Sequence, residues 1–354
     1  MQKKSIALLT ALLMTCSTMA LAEETSVQET TEKAADVPAW VKNIKLSGYG
    51  MVQYQAEDKE GGEHNEFNLR LMRLILDGKS GDFAWRVQGQ GSLGTGPGSA
   101  TAYLVDLFAE WQKYEAFRVK AGQFKRAFTF ENPAHPITQG WYSYAQVINA
   151  LTGFGDRTGE ASSGGRDIGV QVQGDIIKNA AGRNLLHYQV GVYNGEGINA
   201  KDKDNRKDII GGIWVMPIDG VRIGAFGWTG SRAGVGEKNR YALSAEYDKN
   251  EYTFRAEYIH NQGYGADVSL GDKADGWYAF GIVPVIKSKL HAKARYNTYR
   301  KDKTWGNSKT MYEVGLNYFF TKNVQLNFEY ARVNERSLAK PDYNFVDLQL
   351  DFRF

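Results

Sequence analysis

The stretch Tyr343 to Phe354 constrains this chain more than any other. Taken every second residue, Val346, Leu348, Leu350, Phe352 and Phe354 fall on one side, and Asp347, Gln349, Asp351 and Arg353 on the other. Successive side chains of a strand point to opposite faces, so this is a strand with one oily and one wet face. A soluble sheet can alternate in the same way. It would rarely end on a bare phenylalanine, because the terminal carboxylate forces solvation. In a closed membrane barrel the last strand pairs with the first, and a terminal aromatic sits in the interfacial girdle. The expectation is a barrel, with an ordinary strand of a soluble sheet as the alternative.

A length of 354 residues admits two soluble domains or one large barrel. Composition narrows the choice: 39 glycines, 7 prolines, 20 tyrosines and 17 phenylalanines suit strands that need only one apolar face. Past the first residues, no segment approaches the roughly 18 uncharged apolar residues of a membrane helix, so any span is a strand. The one strongly apolar run follows Lys3 and Lys4, covers Ile6 to Leu13, and ends in the small-residue site Ala20-Leu21-Ala22. Residues 1–22 read as a secretory signal cleaved before Glu23. Cys16 follows Leu13-Met14-Thr15, a poor lipidation site, and is discarded with the signal. A mature chain without cysteine has no disulfide, thiolate nucleophile or cysteine metal site. Removing Lys3 and Lys4 from the 43 bases leaves 41 against 40 acids, a balance that does not suggest nucleic acid. Residues 23–39 form a polar, flexible leader, and 40–354 the barrel domain.

Alternation begins at Ile44, where Ile44, Leu46, Val52 and Tyr54 share a face with Gly48 and Gly50. The second strand, Phe67 to Asp77, carries Arg70 and Arg73, whose odd spacing puts them on opposite faces unless a bulge intervenes. Further strands follow near Phe83 to Gly91, Ala102 to Trp111, Phe117 to Phe124, Asp167 to Ile176, Leu185 to Tyr193, Asp208 to Met216 and Val221 to Trp228. Then come Arg240 to Tyr247, Tyr252 to His260, Gly276 to Val285, Lys289 to Tyr299, Thr310 to Phe319 and Val324 to Val333. With the closing strand the total is about sixteen, an even number that encloses a water-filled lumen. Tyrosines gather at the ends of the dry faces, as in strands crossing two lipid interfaces.

Segment Arg126 to Gly165 breaks the rhythm. It carries Pro133, Pro136 and the aromatics Phe128, Phe130, Trp141, Tyr142, Tyr144 and Phe154. So many aromatics need burial, so the expectation is an ordered loop folded into the lumen and narrowing it. Signals for other chemistry fail. Asp202 to Asp208 resembles a calcium loop but has Lys207 and Ile213 where glycine and glutamate are required. Gly94 to Gly98 has no following lysine and reads as a loop tip. The five histidines, His64, His135, His187, His260 and His291, stand singly. No metal, no cofactor and no catalytic set is expected.

These features resemble the phosphate-selective porins O and P of Gram-negative outer membranes. The matching pieces are Phe67-Asn68-Leu69-Arg70-Leu71-Met72-Arg73 before Gly78, Val105 to Trp111, Gly122-Gln123-Phe124-Lys125, Gly165-Arg166-Asp167-Ile168-Gly169-Val170, His187 to Gly195, and Asn205 to Asp208. The terminal aromatic resembles the assembly signal of such barrels. The resemblance implies a trimeric sixteen-stranded porin in the outer membrane, embedded in lipid and lipopolysaccharide, with an inward loop and basic residues along an anion path. Arg70 and Arg73 match the family's arginine-bearing strand, and Lys125 and Arg126 stand at the mouth of the long loop. By alternation, Arg118, Lys120, Arg222, Arg240, Arg255, Lys293 and Arg295 face the same lumen, where a low-dielectric wall focuses their field on anions. Glu246, Glu257, Glu313, Glu329, Asp347 and Asp351 share that lumen, so cross-strand pairing competes for each cation. The expected function is passive diffusion of small anions such as phosphate, or of mixed small solutes. A surface-binding barrel and a sugar-type porin using aromatic stacking are the alternatives.

Overall fold

The computed structural model describes residues 43–92, 101–160 and 164–354. The expected signal and leader, Cys16 and the Gly94–Gly98 tip lie outside the described residues.

Sixteen antiparallel strands run in chain order: β1 (Ile44–Glu57), β2 (His64–Ser80), β3 (Phe83–Ser92), β4 (Thr101–Tyr114), β5 (Phe117–Lys125), β6 (Arg166–Lys178), β7 (Asn184–Tyr193), β8 (Asp208–Val215), β9 (Val221–Arg232), β10 (Gly236–Lys249), β11 (Tyr252–Gln262), β12 (Lys273–Ile286), β13 (Leu290–Arg300), β14 (Ser308–Thr321), β15 (Val324–Glu335) and β16 (Asp342–Arg353). Each pairs with its sequence neighbours, and β1 pairs with β16, so the sheet closes on itself. Closure leaves no edge with unpaired backbone groups in hydrocarbon.

Alternation sorts the two faces. Leu348, Leu350 and Phe352 of β16 are exposed on the outer wall, whereas Asp347, Gln349 and Asp351 are buried inside. β14 follows the same rule, with Tyr312, Val314 and Leu316 outward and Glu313 and Asn317 inward. Connections at one end of the barrel are short, such as Gly81-Asp82 and Asn250-Glu251. Asn250 and Glu251 both have positive φ (54° and 68°), the geometry of a type I′ hairpin turn. The other end carries the longer connections, including 126–165.

The expected conflict between Arg70 and Arg73 is resolved by a bulge. Met51 pairs with Leu71 and Val52 with Leu69, leaving Arg70 as the extra residue of β2. Phe67 and Leu69 are exposed before the bulge, and Met72, Leu74 and Leu76 after it. The side-chain phase slips by one at Arg70, so Arg70 and Arg73 both face the lumen.

The seam is closed by rings over glycines. Gly48 and Phe354 exchange two backbone hydrogen bonds of 3.0 Å. A Cβ at Gly48 would lie 2.4 Å from Cζ of Phe354, and one at Gly50 would lie 2.4 Å from Cζ of Phe352. Aromatic side chains of the last strand thus cover the glycines of the first. Gly50→Val is expected to overpack this seam by about 1–3 kcal/mol, lowering the temperature at which the folded band is lost in heat-modifiable electrophoresis. Adding Phe352→Ala should restore part of it; an unchanged transition in Gly50→Val would refute the packing account.

Candidate functional site

Segment 126–165 enters the barrel because its apolar side chains find a wall there. Phe128, Phe130, Trp141, Ala145 and the helix α1 (Gln146–Leu151) form one buried cluster with Phe226, Trp228, Ala242, Ile259, Tyr278, Phe280 and Ile282 of β9–β12. The contacts are edge-to-face: Phe128 on Trp228 at 5.4 Å, Phe130 on Phe226 at 5.4 Å, and Trp141 on Phe280 at 5.7 Å. Fully burying one such side chain stabilises by about 1.5–3 kcal/mol. The loop therefore fills the side of the lumen bounded by β9–β15.

An irregular loop has few backbone partners of its own, and the barrel wall supplies them. Lys293 donates to the Gly140 carbonyl at 2.7 Å, and Asn317 to the same oxygen at 3.1 Å. Arg295 donates to the Ser143 carbonyl, Gln325 to that of Ile137 and Arg240 to that of Leu151, at 3.0, 3.1 and 2.8 Å. Carboxylates receive loop N–H groups in turn: Glu257 from Phe130 at 2.6 Å and Glu329 from Tyr142 at 2.6 Å. Each pinning cation is itself neutralised. Arg295 forks onto Glu313 with two 2.6 Å contacts, Lys293 meets Glu329 at 2.6 Å, and Arg240 forks onto Asp156 at 2.6 and 2.8 Å. Burial would raise the Asp156 carboxyl, but the Arg240 fork outweighs it and holds the group below its ordinary value.

At the loop base Arg126 binds Glu160 at 2.6 Å and Asp167 at 2.9 Å, while Lys238 lies 2.7 Å from Asp208, all five side chains being buried. Arg126 and Arg240 also lie over the Trp228 ring, at 4.8 and 4.5 Å. Arg255 donates to Glu246 at 2.5 Å. Of the eleven cations expected on an anion path, Arg126, Arg240, Arg255, Lys293 and Arg295 are thus buried in ion pairs. Within the loop, burial pushes the Glu131 carboxyl up to about 7, against the pull of Arg255 and Arg295.

The opposite side of the lumen stays open. A cavity of about 420 Å³ lies toward the short-turn end, and one of about 200 Å³ toward the long-loop end. Both are lined by Arg73, Lys125, Pro136 and Arg166, which stand where the two adjoin. Arg73 donates to Gln90 at 2.7 Å and Tyr49 at 2.9 Å, and Arg70 to Gln349 at 2.7 Å. Lys125 donates to the carbonyls of Asn132 (2.6 Å) and Ala134 (2.9 Å) and to the Tyr144 hydroxyl (3.1 Å). Among the described residues none of these three cations has a carboxylate at ion-pair distance. On the neighbouring wall Arg118 pairs with Asp175 at 2.6 Å, Arg222 with Glu246 at 2.6 Å, and Lys120 more loosely with Glu110 at 3.6 Å.

Sequence reasoning passed over three groups that line these cavities. Arg166, bonded to Asp106 at 2.6 Å, stood in the Gly165-Arg166-Asp167 piece already singled out. Arg86, bonded to Asp77 at 2.7 Å, could have been found from its alternation with Gln88 and Gln90. His135, 4.5 Å from the Tyr49 ring, gave no signal because a loop has no period. Burial, then the charges of Arg73 and Lys125, press its pKa down to about 4. The Asp202 to Asp208 stretch folds as a turn, with Asp202 accepting the N–H groups of Asp204 and Asn205.

The family model described as "Phosphate-selective porin O and P" matches residues 46–195 and 283–354, well over half of the chain. Residues 196–282, which hold the Asn205 to Asp208 piece and all of β8–β11, fall outside the match. No curated protein matches the sequence. Solved structures resemble it closely in shape and little in sequence. OmpF of Salmonella typhi, in complex with daunomycin, superposes with a TM-score of 0.64 at 13% identity, covering 88% of this chain and 98% of that one. An anion-selective porin from Comamonas acidovorans gives 0.62 at 13%, covering 88% and 99%. The trimer form of OmpT from Vibrio cholerae gives 0.58 at 11%, also covering 88% and 99%. At such identities the likeness shows the fold.

Arg240→Met leaves the buried Asp156 unpaired, a change that typically costs about 3–5 kcal/mol. The loop should come away from its wall while the barrel stays closed, read as larger and noisier single-channel steps and protease cleavage within 126–165. Asp156→Leu added to Arg240→Met should quieten the channel again; wild-type steps in the single variant would refute the pinning role.

Proposed function

From its membership of the phosphate-selective porin O and P family, which makes this chain an outer-membrane porin, we propose that it passes small anions, phosphate among them, down their gradients through an off-centre passage. It acts as a channel and carries out no reaction. The same proposal includes a homotrimer surrounded by outer-membrane lipid and lipopolysaccharide, with residues 1–22 removed on export.

One observation supports the anion reading: Arg70, Arg73 and Lys125 keep neutral partners where they line the open cavities, Arg73 and Lys125 being common to both. A guanidinium bonded to amides or phenols retains its full charge for a passing ion, whereas one bonded to a carboxylate does not. Lys125 has three N–H groups, and its three bonds engage all of them, so it offers a field more than a hydrogen bond. Arg73 uses Nε and one terminal nitrogen, which leaves the other for a phosphate oxygen. Such a site attracts anions and releases them quickly, as conduction requires. It favours a weakly anion-selective channel over a tight phosphate trap.

In a planar bilayer under a potassium chloride gradient, the reversal potential should be biased toward chloride. Removing one unit charge near the ion path is worth about 1 kcal/mol, so Arg73→Ala or Lys125→Ala should lower the chloride-to-potassium permeability ratio about fivefold. An unchanged ratio in both variants would refute the assignment. Block by maltodextrin and not by phosphate would favour the sugar-type channel, and ligand binding without conductance the surface-binding barrel.

The His135 imidazole is neutral above about pH 4, so it adds no charge to the passage at neutral pH. Between pH 8 and 5 it should leave anion preference flat. Below that, wild type should gain a further step in preference as His135 takes up a proton, and His135→Gln should lack that step. Identical pH profiles would show that His135 does not face the ion path.

A further inference from the structure

The larger cavity holds polar atoms that an inorganic ion does not need. The Gln88 side chain is only 3% exposed, lines the cavity and makes no hydrogen bond within the described protein. Gln189 lines it as well, again without a side-chain partner. His187 turns Nδ1 to Asp175 at 2.7 Å, and its Nε2 is buried with no partner. The imidazole is stacked at 3.9 Å on the Trp214 ring, which forms part of the same wall. Asp175 lies opposite His187, and His187 opposite Trp214, in the strand registers, so these groups share one stretch of wall across β6–β8.

Bare phosphate or chloride is served by the charges of Arg73 and Lys125 alone. A buried residue such as Gln88, whose amide has no protein partner, is costly unless something binds it. Amides give and accept hydrogen bonds, and the stacked pair of Trp214 and His187 adds apolar wall beside them. Together they match a body that carries hydroxyls on a carbon frame. A volume of about 420 Å³ lies within the range of small-molecule sites. We infer that the cavity is a binding subsite for phosphate monoesters of small polyols or sugars. The phosphate lies toward Lys125 and Arg73, and the hydroxylated body against Gln88 and Gln189. This rests on the anion-channel reading and goes beyond it in naming the solute class.

The test is block of potassium chloride current through the full chain in a planar bilayer, with glucose 6-phosphate, inorganic phosphate and glucose as probes. Two or three added neutral hydrogen bonds predict half-block by glucose 6-phosphate at a concentration about tenfold lower than by inorganic phosphate. Glucose should block far more weakly than either. In Gln88→Leu with Gln189→Leu the ratio between the two phosphates should fall toward one. Equal half-blocking concentrations in the wild type overturn the inference whether or not the double variant folds, as does a ratio that the double variant leaves intact. A channel that prefers anions but shows equal block defeats only the subsite. One without anion preference defeats the channel reading and the subsite with it.

Discussion

A strand that crosses hydrocarbon must satisfy every backbone N–H and C=O inside the protein, and the pairing of β1 with β16 is what completes that requirement here. The other features of the barrel follow from it. Once the sheet is closed, each residue faces either lipid or lumen, and side chains must alternate. Glycines stand at the seam, because the rings of Phe352 and Phe354 lie where a Cβ would be. A closed sheet of sixteen strands also leaves an interior too wide for its own side chains to fill, and segment 126–165 with its aromatic cluster occupies one side of it.

Much of this was legible in the sequence, because period-two hydrophobicity reports which way a residue faces. The sixteen strands, the closing role of Tyr343 to Phe354 and the inward loop could all be read from alternation, from a terminal aromatic and from a long aromatic-rich interruption. What alternation cannot report is the partner of an inward charge, since that depends on the register between strands. Arg295 lies opposite Glu313, Arg222 opposite Glu246, and Lys120 opposite Glu110. Arg73 lies between Tyr49 and Gln90. All seven arginines and lysines picked out by alternation end in ion pairs, whereas Arg70 and Arg73, which look no different in a strand pattern, do not. The loop contacts of Lys293, Arg295 and Arg240 were out of reach for a further reason: they go to backbone carbonyls, which leave no trace in residue identity.

Two uses of positive charge therefore share one lumen. On the β9–β14 side the cations hold the loop, and carboxylates quench them. On the β2–β5 side Arg70, Arg73 and Lys125 keep neutral partners beside an open cavity. The first group gives the loop a fixed place, and the second is where the proposed anion preference rests. The same residue types serve both, so counting basic residues in the lumen says little about the ions that cross it.

The bulge at Arg70 shows how small an edit separates the two faces of a barrel. One surplus residue in β2 rotates everything on its far side by half a turn of the pleat, so an insertion or deletion there trades a run of lipid-facing leucines for lumen-facing polar groups wholesale. Sequence drift at this spot is consequently quantised. Substitutions tune the charge, whereas a single-codon gap would turn part of the wall inside out, so comparisons of related chains should track spacing around this arginine before they track its identity.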